Sequence, residues 1–221
     1  MGRKIFITAT DTGAGKTFVT ANLIRLLLEQ GISASAIKPV ASGVSEDGIN
    51  EDVEALMQAQ QLNNPDQVNR YSFQLPASPN IAAAAEAQQI KPEELIAWCN
   101  GQAEKADLCL IEGVGGLMVP LSKTYLVSDW IADLHNCEVM LVVGARLGSI
   151  NHALLTLAQL KQLGMTPAYI IINAIEDNTI AMQVENSIRP WLMPESRLIA
   201  IPNQAKDDDF SALMSGLLAK E

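Results

Sequence analysis

One segment of the chain, Ile5-Phe-Ile-Thr-Ala-Thr-Asp-Thr-Gly-Ala-Gly-Lys-Thr17, is more informative about the architecture than any other. It begins with a short apolar run typical of a strand, passes through a glycine-containing turn, and ends where an apolar helix begins. Gly15-Lys16-Thr17 is the core of a phosphate-binding P-loop. Small residues in such a loop let backbone N–H groups approach phosphate oxygens. The lysine reaches the phosphates, and the threonine hydroxyl coordinates Mg²⁺. The usual spacing places a glycine at position 10, where this chain has Thr10, so the loop is a deviant P-loop.

Beyond this segment, short β-branched runs alternate with longer helical stretches, a pattern typical of a parallel sheet covered by helices. We therefore predict an α/β fold: a single-domain, P-loop NTPase-like parallel sheet with helices on both faces. A further short helix is expected to start near Asn80, and another after Asp209. The predicted strands are residues 4–9, 35–38, 107–112, 139–143, 168–173 and 198–201. The predicted main helices are residues 16–30, 52–61, 92–105, 126–134, 150–163 and 179–191.

The composition limits the classes of function. The 221 residues include 25 acidic against 15 Lys and Arg side chains, a formal net charge of -10, which argues against a nucleic-acid binder held by a general basic surface. Hydrophobic residues make up 48% of the chain and charged residues 18%, enough apolar material for a sizeable core. The length and the absence of repeats or linkers indicate one domain over residues 1–221.

Cysteine usage and hydropathy indicate the compartment. Cys99, Cys109 and Cys137 are odd in number and lie in apolar context, so a disulfide framework is not expected. Nothing near the first residues resembles a signal peptide, and the apolar runs are far shorter than the ~18 residues that cross a bilayer. We expect a soluble, cytoplasmic protein without a membrane partner.

Two further segments place charge beside the predicted phosphate loop. The apolar run 108–111 ends at Glu112 and is followed by Gly113-Val-Gly-Gly116. A P-loop enzyme needs an acidic residue at such a strand end to hold its metal, although a strand-end carboxylate beside a flexible loop is the plain alternative. Lys38 follows the second predicted strand and precedes Pro39 and an expected loop of small residues, 40–43. It is therefore either a placed cation at the same sheet edge or a solvated surface charge.

Four ordered segments together resemble the dethiobiotin synthetase family, along a match that runs from about residue 5 to residue 203. They are Thr10-Asp-Thr with Gly15-Lys-Thr17, Lys38-Pro-Val-Ala-Ser-Gly43, Glu112-Gly-Val-Gly-Gly116, and Val143-Gly-Ala-Arg-Leu-Gly-Ser-Ile-Asn-His152. The resemblance implies a ligase of biotin biosynthesis. Such an enzyme uses ATP and Mg²⁺ to carboxylate 7,8-diaminononanoate with carbon dioxide and closes the ring to dethiobiotin, releasing ADP and phosphate.

The same resemblance implies a role for each matched residue. Lys16 and Lys38 are the expected catalytic cations, with Lys38 at the carbamate and the transferring phosphoryl group, and Thr17, Asp52 and Glu112 are expected to arrange Mg²⁺. The expected ATP contacts are Thr12, Gly13, Ala14, Gly15, Lys16, Thr17, Phe18, Asp52, Glu112, Gly113, Val114, Gly115, Asn173, Pro202 and Asn203. The expected substrate contacts are Thr12, Ser42, Gly148, Ser149, Ile150 and Asn151.

Some of these positions also have ordinary explanations. Asp52 opens a predicted helix, where a carboxylate is favoured by the helix dipole whether or not it holds a metal. Asn173 at a strand end can merely start a turn. Gly148 and Ser149 open a helix whose backbone N–H groups suit an anion, but Ser149 also suits an ordinary helix cap. The resemblance implies that this loop receives the carboxylate of the substrate bound to the other subunit of a homodimer.

Two competing functions have specific signals that this sequence lacks. P-loop ATPases that position septa or plasmids usually carry a second lysine near the start of the loop, and residues 10–15 contain none. An ATP-dependent amidation domain would need a glutaminase nucleophile region, which is not found. The sequence also departs from the family pattern at Ala9, Gly13 and Asn80, where glycine, glutamate and histidine are common, but none of these changes removes a cation or metal ligand.

Overall fold

Eight strands and eight α-helices lie along the part of the chain that the computed structural model describes, residues 2–45 and 48–219. Three short 3-10 helices lie at Pro65–Gln67, Arg189–Trp191 and Asp207–Phe210. The strands are β1 (Arg3–Ala9), β2 (Ala34–Ile37), β3 (Val40–Ser42), β4 (Tyr71–Phe73), β5 (Leu108–Glu112), β6 (Cys137–Gly144), β7 (Pro167–Asn173) and β8 (Arg197–Ile201). The helices are α1 (Lys16–Glu29), α2 (Glu51–Ala59), α3 (Pro79–Ala85), α4 (Pro92–Ala103), α5 (Val127–Asp133), α6 (Ser149–Gln162), α7 (Asn178–Ile188) and α8 (Ser211–Leu218).

Six of the strands form one parallel sheet in the order β2-β5-β1-β6-β7-β8. The first strand therefore lies inside the sheet, between β5 and β6. In the register of these strands Ile7 lies opposite Glu112 on β5 and opposite Met140 on β6. Because the strands are parallel, their carboxyl ends meet at one edge, where the loops after β1, β5 and β6 lie side by side.

Both faces of this sheet are covered by helices. Side chains alternate along β1, so that Phe6 packs into the hydrophobic core on one face while Ile5 and Ile7 pack into the core on the other. The first core includes buried residues of α3, α4, α5, α6 and α7, and the second includes buried residues of α1, α2 and α8. The near-continuous apolar runs of the sequence are thus strands buried on both sides, and the predicted α/β architecture is confirmed.

The predicted strands and helices match the observed ones closely, except that β3 and β4 were not predicted and one predicted helix is too long. Residues 40–43 were expected to form a loop of small residues, and this expectation is wrong, because Val40–Ser42 is the strand β3, which pairs in parallel with β4. Three-residue strands are too short to show an alternating pattern, so the sequence gives no signal for them. The predicted helix 179–191 ends at Ile188, because Pro190 cannot continue an α-helix and the chain turns into a 3-10 helix.

None of the helices in the described residues combines the length and the apolar character required to cross a membrane. Cys99, Cys109 and Cys137 are all free thiols, as the sequence predicts. Burial raises the pKa of Cys109 to about 11 and the pKa of Cys137 to about 12, so both remain protonated near neutral pH.

Candidate active site

The phosphate loop connects the inner strand β1 to α1. Gly13 and Gly15 both adopt left-handed backbone conformations, with φ of 73° and 96°. A Cβ atom at Gly15 would lie 2.0 Å from Nδ2 of Asn173, so a side chain at this position would both strain the backbone and collide. Where the loop leaves β1, the Thr10 N–H donates a hydrogen bond to the Val142 carbonyl at 3.0 Å. Backbone geometry therefore requires the glycines of the motif, even before any ligand is considered.

Lys16 is buried and folds back across the next loop. Its ammonium donates to the carbonyl of Gly115 at 2.7 Å. Burial, with a smaller contribution from the nearby Lys38, lowers the pKa of Lys16 to about 8. The lysine thus rests on one backbone acceptor, and two of its three N–H groups remain for other acceptors.

Thr17, Asp52 and Glu112 converge from three different elements. The hydroxyl of Thr17, in the first turn of α1, lies 2.6 Å from Oδ1 of Asp52 on α2 and 2.7 Å from Oε1 of Glu112 at the end of β5. A hydroxyl has one proton, so Thr17 can donate to only one of these carboxylates at a time. Oε2 of Glu112 is buried and has no hydrogen-bond partner among the described residues. This orphaned acceptor is an unsatisfied charge-bearing group within the cluster.

Lys38 forms ion pairs with both carboxylates. Its ammonium lies 2.7 Å from Oε1 of Glu112 and 2.9 Å from Oδ2 of Asp52, and it also donates to the carbonyl of Gly113 at 3.1 Å. Burial alone would lower the pKa of Lys38, but the two carboxylates outweigh it and hold the pKa above its ordinary value. Burial likewise acts to raise the pKa of Asp52, and Lys38 and Thr17 outweigh it, so that pKa is lowered. Lys38 is therefore a buried cation and not a solvated surface charge.

A cavity of about 650 Å³ opens over this cluster. Its polar side is formed by Thr12, Lys16, Lys38, Ser42 and Asp52, whereas its opposite wall is largely apolar. Apart from Val114, the residues of this wall were not predicted from the sequence; the wall follows the short strand β4 and continues in the loop after β5. The wall residues are Pro76, Ala77, Pro79, Val114 and Val119.

Four other predicted ligand-binding residues are not among the described residues that line the cavity, namely Gly113, Asn173, Pro202 and Asn203. The Nδ2 group of Asn173 donates to the carbonyl of Ala14 at 3.1 Å, so Asn173 holds the backbone of the phosphate loop. Gly113 is packed so closely that a Cβ atom there would lie 2.7 Å from the ring of Phe6. Asn203, next to Pro202, holds the turn after β7 by donating to the carbonyls of residues 175 and 176.

Phe18 lies just outside the phosphate loop. It is partly exposed and its ring is tilted against that of Phe210, with the ring centroids 6.1 Å apart. Phe210 belongs to the C-terminal 3-10 helix that precedes α8. The contact joins the first turn of α1 to the C-terminal segment.

The loop at Gly148 and Ser149, which the sequence predicts to bind an anion, is called the anion loop. It lies beside the phosphate loop but outside the cavity. Among the described residues that line the cavity, none is Gly148, Ser149, Ile150 or Asn151. Gly148 has a φ of 89°, and Ser149 begins α6 with its side chain buried. Leu147 is fully exposed. Within a single chain, this loop is not brought together with the rest of the predicted substrate site.

The sheet order, the loop between β1 and α1, and the acidic residue at the end of β5 define a P-loop nucleotide-binding protein of the α/β class. Solved structures support this fold. A ParA family ATPase from Chlorobium tepidum aligns with a TM-score of 0.53 at 16% identity, over 97% of this chain and 90% of that one. The hydrogenase maturation factor HypB from Archaeoglobus fulgidus aligns with a TM-score of 0.56 at 14% identity, over 98% and 91%. At such identities the likeness concerns the fold alone.

Sequence relatives identify the family. Residues 3–206 match the family described as AAA domain. The ATP-dependent dethiobiotin synthetase of Aromatoleum aromaticum is 39% identical over 178 residues, 79% of each chain. That of Aeromonas salmonicida is 36% identical over 208 residues, 91% of each chain. The chain belongs to the ATP-dependent dethiobiotin synthetase family, as its four motifs predicted.

Proposed function

We propose that the protein carboxylates 7,8-diaminononanoate with carbon dioxide, using ATP and Mg²⁺, and closes the ring to give dethiobiotin, ADP and phosphate in biotin biosynthesis. The observation that carries this proposal is the meeting of two buried lysines, two carboxylates and a threonine hydroxyl beside one cavity. The reaction passes through anionic groups, so it needs fixed cations at the point where charge develops. The family membership supplies the substrate class.

The phosphate loop suits the triphosphate of ATP. The loop presents backbone N–H groups at the start of α1, where the helix dipole favours an anion. Within the described ranges, Lys16 is bonded only to a neutral carbonyl, so a phosphate oxygen can replace Gly115 as its acceptor without breaking an ion pair. We expect this exchange when the nucleotide binds.

The residues at the proposed metal site suit Mg²⁺. The described part of the chain has no group of three or more His, Cys, Asp or Glu side chains placed to hold a metal. Mg²⁺ does not need such a group, since it keeps several waters and usually takes one or two carboxylates with substrate phosphates. Thr17, Asp52 and Glu112 supply a hydroxyl and two carboxylates, and the free Oε2 of Glu112 is available to a ligand. When bound, the ion neutralises phosphate charge.

Lys38 is placed to stabilise the reacting groups of the substrate. In the proposed reaction one amine of the substrate attacks carbon dioxide and loses a proton, which gives a carbamate. A carbamate oxygen then attacks the γ-phosphorus of ATP and ADP leaves; the second amine attacks the carbamate carbon and phosphate leaves. The ammonium of Lys38 borders the cavity and carries the charge that both anionic stages require.

The tail carboxylate of the substrate needs a binding group, and we expect a second subunit of a homodimer to supply it. The cavity residues belong to one chain, whereas the anion loop at Gly148 and Ser149 does not reach the cavity of its own chain. A partner subunit can supply this loop to hold the tail carboxylate. Leu147 and Leu155, with exposed fractions of 100% and 62%, lie on this loop and on α6, where a second copy would cover them.

The proposal extends to two broader expectations. We treat residues 1–221 as one domain, although residues 1, 46, 47, 220 and 221 lie outside the described part of the chain. Three free thiols suit a reducing compartment, and we place the protein in the cytoplasm on that basis.

A radiolabel assay tests the function directly. Purified protein is incubated with MgATP, labelled bicarbonate and 7,8-diaminononanoate, and acid-stable label is measured together with ADP. We expect label only when all three components are present. No labelled product from folded protein, beside an active dethiobiotin synthetase, would refute the function.

The metal assignment has its own test. We expect Glu112→Gln to raise the Mg²⁺ concentration needed for half-maximal rate by about tenfold, because it replaces one charged ligand by a neutral one of similar size. The matched control is Glu104→Gln, at an exposed position outside the cavity. An unchanged magnesium midpoint in Glu112→Gln would place the metal elsewhere.

A further inference from the structure

Asp11 connects the phosphate loop to the loop that precedes α6. One oxygen of its carboxylate, Oδ1, accepts a hydrogen bond from the Thr12 N–H at 2.8 Å. The other, Oδ2, accepts from Nη2 of Arg146 at 2.5 Å. Asp11 follows β1 and Arg146 follows the neighbouring strand β6, so the ion pair crosses between two adjacent loops at the ligand-binding edge of the sheet.

Arg146 begins a closed turn that leads into α6. The N–H of Ser149 donates to the carbonyl of Arg146 at 3.1 Å, and the N–H of Arg146 lies 3.4 Å from the hydroxyl oxygen of Ser149. Leu147, at the tip of this turn, is fully exposed, and Gly148 supplies the left-handed conformation that closes it. Because the turn is closed on itself, a displacement of Arg146 displaces the first N–H groups of α6.

The phosphate loop has several anchors, but the turn has few. The loop is held by the Thr10 N–H on the Val142 carbonyl, by Lys16 on Gly115, and by Asn173 on Ala14. In the described part of the chain, the ion pair to Asp11 is the one side-chain bond between the turn and the phosphate loop. Loss of this pair therefore loosens the turn more than the phosphate loop.

We propose that Asp11 and Arg146 are positioning residues, through which the phosphate loop fixes the turn that holds the tail carboxylate of the substrate. This inference rests on the proposed function. Both side chains are partly exposed, at 45% for Asp11 and 37% for Arg146, and exposed ion pairs contribute little to stability. The effect of breaking the pair is accordingly expected in substrate binding and not in the stability of the fold.

Three variants test the pair: Arg146→Met, Asp11→Asn and the double variant. For each we expect the KM for diaminononanoate to rise about tenfold because the carboxylate anchor is misplaced, with kcat and the affinity for a nonhydrolysable ATP analogue within about twofold of wild type. The double variant should be no worse than either single one, since the three break the same bond. Arg146→Lys should retain a low KM, because a single N–H reaches Asp11 and a lysine can replace it.

A matched control and the opposing outcomes are available. Arg189→Met breaks another exposed ion pair, to Glu185 on α7, and should leave both constants unchanged. Additive effects of the single variants, an unchanged diamine KM, or an effect confined to ATP affinity would each overturn the proposal. A wild-type protein that forms no product refutes the proposed function instead, so the two failures are distinguishable.

A mixed dimer tests whether the turn of one subunit acts on the active site of the other subunit. A chain with Lys38→Ala is co-expressed with a differently tagged chain that carries Arg146→Met, and the heterodimer is isolated through both tags. Its one site with an intact Lys38 belongs to the second chain but receives the turn of the first, in which Asp11 and Arg146 are intact. We expect its diamine KM to return to within about twofold of wild type. A KM as high as in the Arg146→Met homodimer would overturn a role across the subunit boundary.

Discussion

Lys38 and Glu112 are both withdrawn from solvent, with 4% and 0% of their side chains exposed, and their ammonium and carboxylate groups lie 2.7 Å apart. A buried charge is tolerated when an opposite charge and further hydrogen bonds accompany it. Lys38 meets this condition through Glu112, Asp52 and the carbonyl of Gly113. The site is therefore charged in advance, and a substrate does not have to bring the cation into place.

We predict that Lys38→Gln lowers kcat by at least ~10²-fold, the loss typical of removing one preorganised charge from a transition state. Glutamine nearly keeps the length of the side chain but not its charge, so the loss measures electrostatics. Turnover is measured in saturating magnesium, with Lys91→Gln as the control at an exposed position. Near-normal turnover of folded Lys38→Gln would show that another group stabilises the carbamate.

The lowered pKa of Lys16 predicts proton uptake on nucleotide binding. The free protein holds Lys16 with a pKa of about 8, whereas a bound phosphate favours the ammonium form and raises that pKa. Binding should therefore take up about 0.9 proton at pH 9 and about 0.1 at pH 7. The apparent affinity for MgATP should fall about fivefold between pH 8 and pH 9, because the protonated fraction of Lys16 falls from about one half to about one tenth.

Titration calorimetry in two buffers of different ionisation enthalpy measures this uptake. Lys91→Met, which changes an exposed lysine, should give the same proton count as wild type. Equal uptake at pH 7 and pH 9 would mean that Lys16 does not change its protonation state when the nucleotide binds.

The charged residues of the site could be predicted because each one follows or opens an element with a clear sequence pattern. Lys38 and Glu112 end strands, and Thr17 begins a helix. Asp52 was ambiguous in the sequence, and the structure shows why: it is an ordinary acidic residue in the first turn of α2 and also contacts Thr17 and Lys38. The apolar wall at residues 76–79 could not be predicted, because its position depends on the pairing of β3 with β4.

The buried side chain of Lys4 stabilises the end of α5. This contact lies at the amino ends of the strands, opposite the edge that carries the cavity. Lys4, on β1, donates to the carbonyl of Leu134 at 2.6 Å and to Oδ1 of Asn100 at 2.8 Å. The next two residues, His135 and Asn136, have positive φ values of 32° and 49°, which non-glycine residues rarely adopt. Lys4 therefore satisfies a helix-terminal carbonyl just before a strained turn.

We predict that Lys4→Met lowers the free energy of unfolding by about 1–3 kcal/mol, the cost of leaving buried acceptors without a donor. Methionine retains most of the apolar stem, so the loss reports on the ammonium. Urea unfolding measures the difference, and Lys123→Met at an exposed position is the control. An unchanged unfolding midpoint would show that water satisfies the Leu134 carbonyl equally well.

The face of the sheet that carries α6 leaves large apolar side chains exposed. On the face that carries α6, Leu155 is 62% exposed, and the fully exposed Leu147 lies just before that helix. We predict that Leu155→Glu weakens a homodimer at least a hundredfold, since a two-fold interface counts the substitution twice at about 1.5–3 kcal/mol each.

Sedimentation equilibrium measures the dimer, and the KM for diaminononanoate should rise as monomers form. Leu28→Glu is the control, because Leu28 lies on α1, which covers the other face of the sheet. If Leu155→Glu and Leu28→Glu dimerise alike, a different surface joins the subunits.

The position of β1 inside the sheet has a consequence for biosynthesis. The first strand to be made, Arg3–Ala9, pairs with Leu108–Glu112 and Cys137–Gly144, which the ribosome adds much later. Until then the nascent phosphate loop has no neighbouring strand on either side, and its apolar strand is open to wrong partners. A chain released before residue 137 lacks β6, and with it the Val142 carbonyl that holds the start of the phosphate loop, however much of α1 it has already formed.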